Sequence, residues 1–186
     1  QELTADREVV LAALQQDGWA LKHASQELWA DREFVMPVVR RSGIELQRAS
    51  QELRADREVV LAAIQQNVHA LEYASEALKA DREFVMPIVR QDGLTLGRTS
   101  QELRADREVV LAAVKQTGGA LYGGPRGGAY ASQELRADRE IVLAAVQQSG
   151  MALRHASEEL RADREVVLAA VEELRADRSC WPPCSR

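Results

Sequence analysis

The chain is poor in aromatic residues: three Trp, three Tyr and two Phe make up 4% of its 186 positions. A buried core must then consist mostly of Ala, Val and Leu. Basic residues are not in excess. Lys and Arg number 24 against 29 Asp and Glu, for a net charge of −5, and the two signs are interspersed. The basic stripe of a nucleic-acid binder is therefore missing. No apolar run approaches the roughly 20 residues needed to span a bilayer. No segment alternates apolar and polar residues over a useful length, so strands are not expected. Cysteine occurs twice, at Cys180 and Cys184. Three residues separate the pair, which is not the redox Cys-x-x-Cys spacing. The two either close a small loop in an oxidising compartment or remain free thiols.

The usual signatures of chemistry are also lacking. His23, His69 and His155 have no Cys or carboxylate beside them at a metal-ligand spacing, so no metal site is expected. The stretch Gly123-Gly124-Pro125-Arg126-Gly127-Gly128 is Gly-rich. It lacks the Gly-Lys-Ser/Thr ending of a phosphate loop and follows no strand. Ser, His and Asp are all present, but the recurring Ser and Asp have structural explanations, and nothing assembles them into a triad. Neither catalysis nor a cofactor is expected.

What the chain does contain is repetition. Ala-Asp-Arg-Glu begins at Ala5, Ala30, Ala55, Ala80, Ala105, Ala137 and Ala162. Successive starts lie 25, 25, 25, 25, 32 and 25 residues apart. A fixed period of this size denotes an array of small units, each packed on its neighbours. The fold class predicted is all-α, a short α-solenoid of ~25-residue two-helix repeats. In the unit from Asp56 to Ala80, Asp56 is placed to cap a helix and Glu58 to complement its dipole. Helix A is predicted over Arg57 to Gln66. Gly18, Gly43, Gly93, Gly118 and Gly150 recur where a left-handed residue would stop this helix, and Asn67 is the candidate for that conformation in its own unit. A second helix, B, is predicted over roughly Ala70 to Leu78, with Leu71, Ala74 and Leu78 on one face. Ser75 and its equivalents are placed to bond a carbonyl or cap a local turn. Helix A is apolar almost all round, as a helix buried on two sides must be. The repeated Asp-Arg-Glu reads as a cap plus ion pairs between adjacent units.

A longer period overlies the first. Phe34-Val35-Met36-Pro37-Val38-Val39 returns as Phe84-Val85-Met86-Pro87-Ile88-Val89, pairing units into 50-residue blocks over residues 1–100. Pro37 and Pro87 fall inside helix A and are expected to kink it. The boundaries predicted are an array over 1–122, a Gly-rich insertion over 123–130, further units over 131–178 and a Pro/Cys tail over 179–186. In the last unit Val171 joins directly to Glu172-Glu173-Leu174, so helix A there is expected to run on to about Asp177.

The exceptions to the repeat are the candidate sites. Trp29 stands where other units carry Arg54, Lys79, Arg104, Arg136 and Arg161. A normally charged position reads as exposed, and an exposed Trp is a candidate anchor for a partner. The alternative is packing against an insertion or a terminus. The candidate protein-binding residues are Trp19, Trp29, Arg126, Tyr130 and Trp181.

The phrase Glu-Leu-Arg-Ala-Asp-Arg-Glu-Val-Val-Leu-Ala-Ala-Val, followed by Gln-Gln-x-Gly-x-Ala-Leu-x-x-Ala-Ser, closely resembles the repeats catalogued as domain of unknown function 4116. The resemblance covers residues 1 to about 178. It implies helical repeats and an algal or protist source, and it brings no catalytic residues. The function expected is a non-enzymatic protein-interaction or structural scaffold, an accessory subunit of a larger assembly, with other proteins as partners. The alternative is a targeting or regulatory repeat region of a longer enzyme, which the mid-unit start at Gln1-Glu2-Leu3 would suit.

Overall fold

A computed structural model describes residues 7–16, 21, 24–123 and 130–179. Among these residues every regular element is helical. The chain parts into two compact units, Gln1–Leu78 and Lys79–Arg186. The first holds the long helices α1 (Arg7–Gln16), α2 (Arg32–Arg41) and α3 (Arg57–Gln66). The second holds α4 (Arg82–Gln91), α5 (Arg107–Gln116), α6 (Arg139–Gln148) and α7 (Arg164–Ser179). The protein is an all-α repeat array. The units part inside the array and not at the Gly-rich insertion. The helices that flank the insertion, α5 and α6, pack directly on each other.

Each long helix from α2 to α7 starts where its Asp stands. Asp56 accepts from the amides of Glu58 (2.9 Å) and Val59 (3.1 Å), and Asp106 and Asp138 do the same for α5 and α6. Two of the orphan donors of the first turn are thereby satisfied. Pro37 and Pro87 lie on the exposed side of α2 and α4, and both helices run through them without interruption. The carbonyl that each proline leaves unpaired belongs to an exposed residue, Glu33 or Glu83, where water can bond it.

The helix stop differs from the prediction. Asn67 is extended, with φ −148°, and ends α3 without a left-handed residue. Among the described residues Gly123 alone has a positive φ. The recurrent glycine serves a close approach between repeats instead. A Cβ on Gly118 would lie 2.6 Å from the Ala145 carbonyl oxygen of the next long helix. Gly43 stands in the same relation to Ala63, Gly93 to Ala113 and Gly150 to Ala170. The backbones touch there, and only glycine fits.

Helix B is also corrected. The segment is two short pieces: a 3-10 helix over Val68–Tyr73 and one turn over Glu76–Lys79. Ala74 between them is extended (ψ 157°). The break has a tertiary cause. The Ser75 amide donates to the Arg54 carbonyl of the preceding repeat at 2.8 Å, so it is not available to a continuous helix. Ser50 bonds Trp29 in the same way in the first unit. In the second, Ser100 bonds Lys79, Ser132 bonds Arg104 and Ser157 bonds Arg136. The serine hydroxyl meanwhile caps the short turn, as Ser75 Oγ does by accepting from the Leu78 amide. Leu71, Ala74 and Leu78 are buried regardless of the break.

Within the second unit, stacking buries two sides of α6. On α6 the pair Ile141 and Ala145 faces the preceding repeat, since the Ala145 carbonyl sits over Gly118. Val142 and Val146 share a different side with Arg139, at i, i+3 and i+7. All four apolar side chains are fully buried. Each buried Val contributes roughly 1.5–3 kcal/mol.

Candidate protein-interaction surface

The Asp-Arg-Glu motif forms a ladder of ion pairs. In the first unit Arg7 pairs with Asp31 and Glu33, and Arg32 with Asp56 and Glu58. In the second, Arg82 pairs with Asp106 and Glu108, Arg107 with Asp138 and Glu140, and Arg139 with Asp163 and Glu165. Burial alone would raise the Asp138 carboxyl. The Arg107 guanidinium and the Ile141 and Glu140 amides outweigh it and hold that carboxyl below its ordinary value. The hydrogen bonds and charges of Glu140 and Asp138 raise Arg107 in turn. These charges are occupied in joining repeats, so the motif is scaffold.

Trp29, read as either an exposed anchor or a packed residue, is 6% exposed. Its ring meets Phe34 edge-on at 5.5 Å, and the Arg48 guanidinium lies 5.8 Å from its centroid. The exposed reading fails because Arg54, Lys79, Arg104 and Arg136 are themselves only half-exposed. Burial reaches as far as the guanidinium Nε of Arg54, Arg104 and Arg136, so most of each side chain lies along the repeat. The slot is apolar, and a Trp fills it. Tyr130 is also engaged in packing: its ring lies over Gly97, where any Cβ would collide with it. His155 stacks on Tyr122 in the same fashion, with centroids 4.4 Å apart and planes at 8°. Burial and then the charges of Arg154 and Arg136 hold His155 below its ordinary pKa. Trp19, Arg126 and Trp181 lie outside the described residues.

A surface that sequence reading missed lies on the long helices of the second unit. Met86, Leu111, Leu143 and Leu168 occupy one position in four successive repeats, and stacking leaves each of them partly or fully exposed. Met86, Leu111 and Ala112 line an open hollow with Arg90, Glu108 and Lys115 at its rim. The signal was present: a large apolar residue in every repeat, at a position that two-sided burial does not require. Exposed apolar area is greatest at the shortened end. Met151 is 51% exposed, Leu168 50% and Leu174 41%. Met151, Leu153 and Leu174 share a hollow of about 310 Å³ with the stems of Arg154 and Arg161. Among the described residues no three His, Cys, Asp or Glu side chains gather as a metal site would require. No helix among them is long and apolar enough to cross a membrane.

A family model described as a domain of unknown function (DUF4116) matches residues 6–47, 31–79, 81–122, 129–161 and 138–175. The chain belongs to the DUF4116 family. No curated protein and no solved structure matches it. The DUF4116 match over 31–79 takes in both α2 and α3, and that over 81–122 both α4 and α5. The residues between 122 and 129 fall outside every DUF4116 match. This is where the Gly-rich insertion departs from the repeat.

Proposed function

We propose that the protein is a non-enzymatic interaction or structural scaffold, working as an accessory subunit that docks on other proteins. The observation that carries this reading is the apolar row Met86, Leu111, Leu143 and Leu168. Stacking leaves four large side chains in register partly or fully exposed, and contiguous exposed apolar surface marks protein contacts. The rim charges of Arg90, Glu108 and Lys115 would orient a partner and add selectivity. Repeat arrays offer extended surfaces of this kind.

The test is co-purification from the native source with the intact chain and with a Leu111→Glu, Leu143→Glu double variant. Proteins held by the intact chain and lost from the folded double variant support the reading. An identical set of proteins with both chains, or none with either, removes it.

A further inference from the structure

The apolar row of the second unit is edged by charge that changes along the array. One turn beyond Met86, Leu111, Leu143 and Leu168 stand Arg90, Lys115, Gln147 and Glu172, all exposed. Residues four apart share a helix face, so these four form the C-terminal edge of the row. Arg82, Arg107 and Arg139 are occupied in ion pairs with the next repeat. Among the described residues Arg90, Lys115 and Glu172 make no ion pair. A cation suits the last turn of a helix. That alone does not account for Arg90 and Lys115, since Gln147 and Glu172 hold the same place on α6 and α7. Both cations rim a hollow of about 460 Å³ whose apolar lining is Met86, Leu111 and Ala112. Glu108, also at that rim, is bound to Arg82. The uncompensated charge around the hollow is therefore positive.

We propose that the row receives an amphipathic helix of a partner protein, laid across α4 to α7, with carboxylates over Arg90 and Lys115 and basic residues over Glu172. This rests on the scaffold reading and adds the occupant to it. The spacing of the row favours a helix. Consecutive long helices from α4 to α7 pack directly on one another, which sets neighbouring members of the row about 8–10 Å apart. Seven residues of an α-helix, two turns, advance about 10.5 Å. In a strand, residues on one face recur at about 6.7 or 13 Å, and neither matches. A helix of about 20 residues therefore keeps its register over all four repeats. Its apolar stripe recurs at seven, with further members three or four residues on. One set rides on the large apolar side chains, and the other seats between repeats, as in the hollow of Met86 and Leu111. The unlike charges at the two ends of the row fix which way the helix points. Most of the affinity comes from the apolar row, because exposed ion pairs contribute little.

The probe is a synthetic peptide of about 22 residues with leucines in a heptad pattern, glutamates flanking them in its first half and lysines in its second. Fluorescence anisotropy follows its binding to the full 186-residue chain, and circular dichroism follows its helix content. The peptide should bind one to one and gain helix as it does. Leu143→Glu should weaken binding roughly 100-fold, because it places a charge in the apolar contact. The Arg90→Glu, Lys115→Glu double variant should weaken it roughly tenfold, and should strengthen binding of a peptide with lysines in both halves by about the same factor. Each variant's thermal midpoint verifies that it folds. A peptide that does not bind overturns the proposal. So does binding that is indifferent to Leu143→Glu, or a charge preference that the double variant leaves unchanged. Tighter binding of the chain to vesicles containing phosphatidylserine, with the same dependence on Leu143, also overturns it by giving the row to a membrane surface. The scaffold reading fails or stands separately. Native partners still lost from the Leu111→Glu, Leu143→Glu variant uphold that reading even where the peptide does not bind.

Discussion

Helices α6 and α7 begin with nearly the same sequence, Arg-Glu-Ile-Val-Leu-Ala-Ala-Val and Arg-Glu-Val-Val-Leu-Ala-Ala-Val. On α6 both Val142 and Val146 are fully buried, whereas on α7 Val171 is 36% exposed. Their local chemistry is the same: Asp138 and Asp163 each accept two amides at the helix start. What differs is the neighbour on one side. The same residues are core in one repeat and surface in the next, so in an array burial depends on position in the stack as well as on sequence.

The largest expected contrast follows from this. Val142→Asp should cost about 4 kcal/mol or more, because it buries a charge with no partner. Val171→Asp should change the monomer's stability by no more than about 0.5 kcal/mol. Thermal unfolding of the two variants at low concentration checks the pair, and equal losses would mean that α7 is covered.

Adjacent glycines supply the next comparison. Gly118→Ala should destabilise by about 1–3 kcal/mol, since its Cβ would press on the Ala145 carbonyl. Gly119→Ala meets nothing closer than 3.7 Å. It should be neutral or stabilising by about 0.4–1 kcal/mol, through the unfolded chain. Denaturant midpoints measure both. A mild Gly118→Ala would show that the repeats can slide apart at this contact.

The caps should have a smaller effect. Asp138→Ala should cost about 1 kcal/mol, read in the same denaturant titration. The pH dependence has a definite sign. Asp56, Asp138 and Asp163 are held below the ordinary carboxyl value in the folded chain. The stability they supply is therefore full above the unfolded value of about 3.9 and is lost as the pH falls through the folded values. The melting midpoint should fall slightly between pH 7 and 5, because His155 is held below its ordinary pKa in the folded chain, and drop further below pH 4, and Asp138→Asn should make that second drop shallower. Smallest of all, Arg139→Met should lower the melting midpoint slightly and reduce its salt sensitivity, while Arg164→Met should do neither in the monomer.

The features that rest on short-range chemistry were legible in the sequence. The cap at Asp56 and the span Arg57–Gln66 are as predicted, because a helix start depends on residues within one turn. The run-on of α7 past Val171 was also legible, from the residues missing there. The recurrent glycine was read as a local stop, although its cause is the carbonyl of the next repeat. Helix B was read as continuous, although the Ser75 amide is turned to Arg54. The exposed reading of Trp29 overlooked the buried stems of Arg54 and Arg104. For the glycines and helix B the deciding partner lies about 20 to 27 residues away in the chain, beyond the reach of a helical pattern. The apolar row Met86, Leu111, Leu143 and Leu168 was missed for a different reason. A helix apolar on three sides and one apolar on two look alike until the covered sides are known.

By itself the sequence determined the period, the capped long helices and an all-α array, since these follow from residue spacing and from caps that act within a turn. The tertiary structure decided which valines are core, why the glycines recur and which face of each long helix stays open. Those depend on which repeat is seated against which, and repeats of nearly identical sequence carry no local mark of their place in the stack.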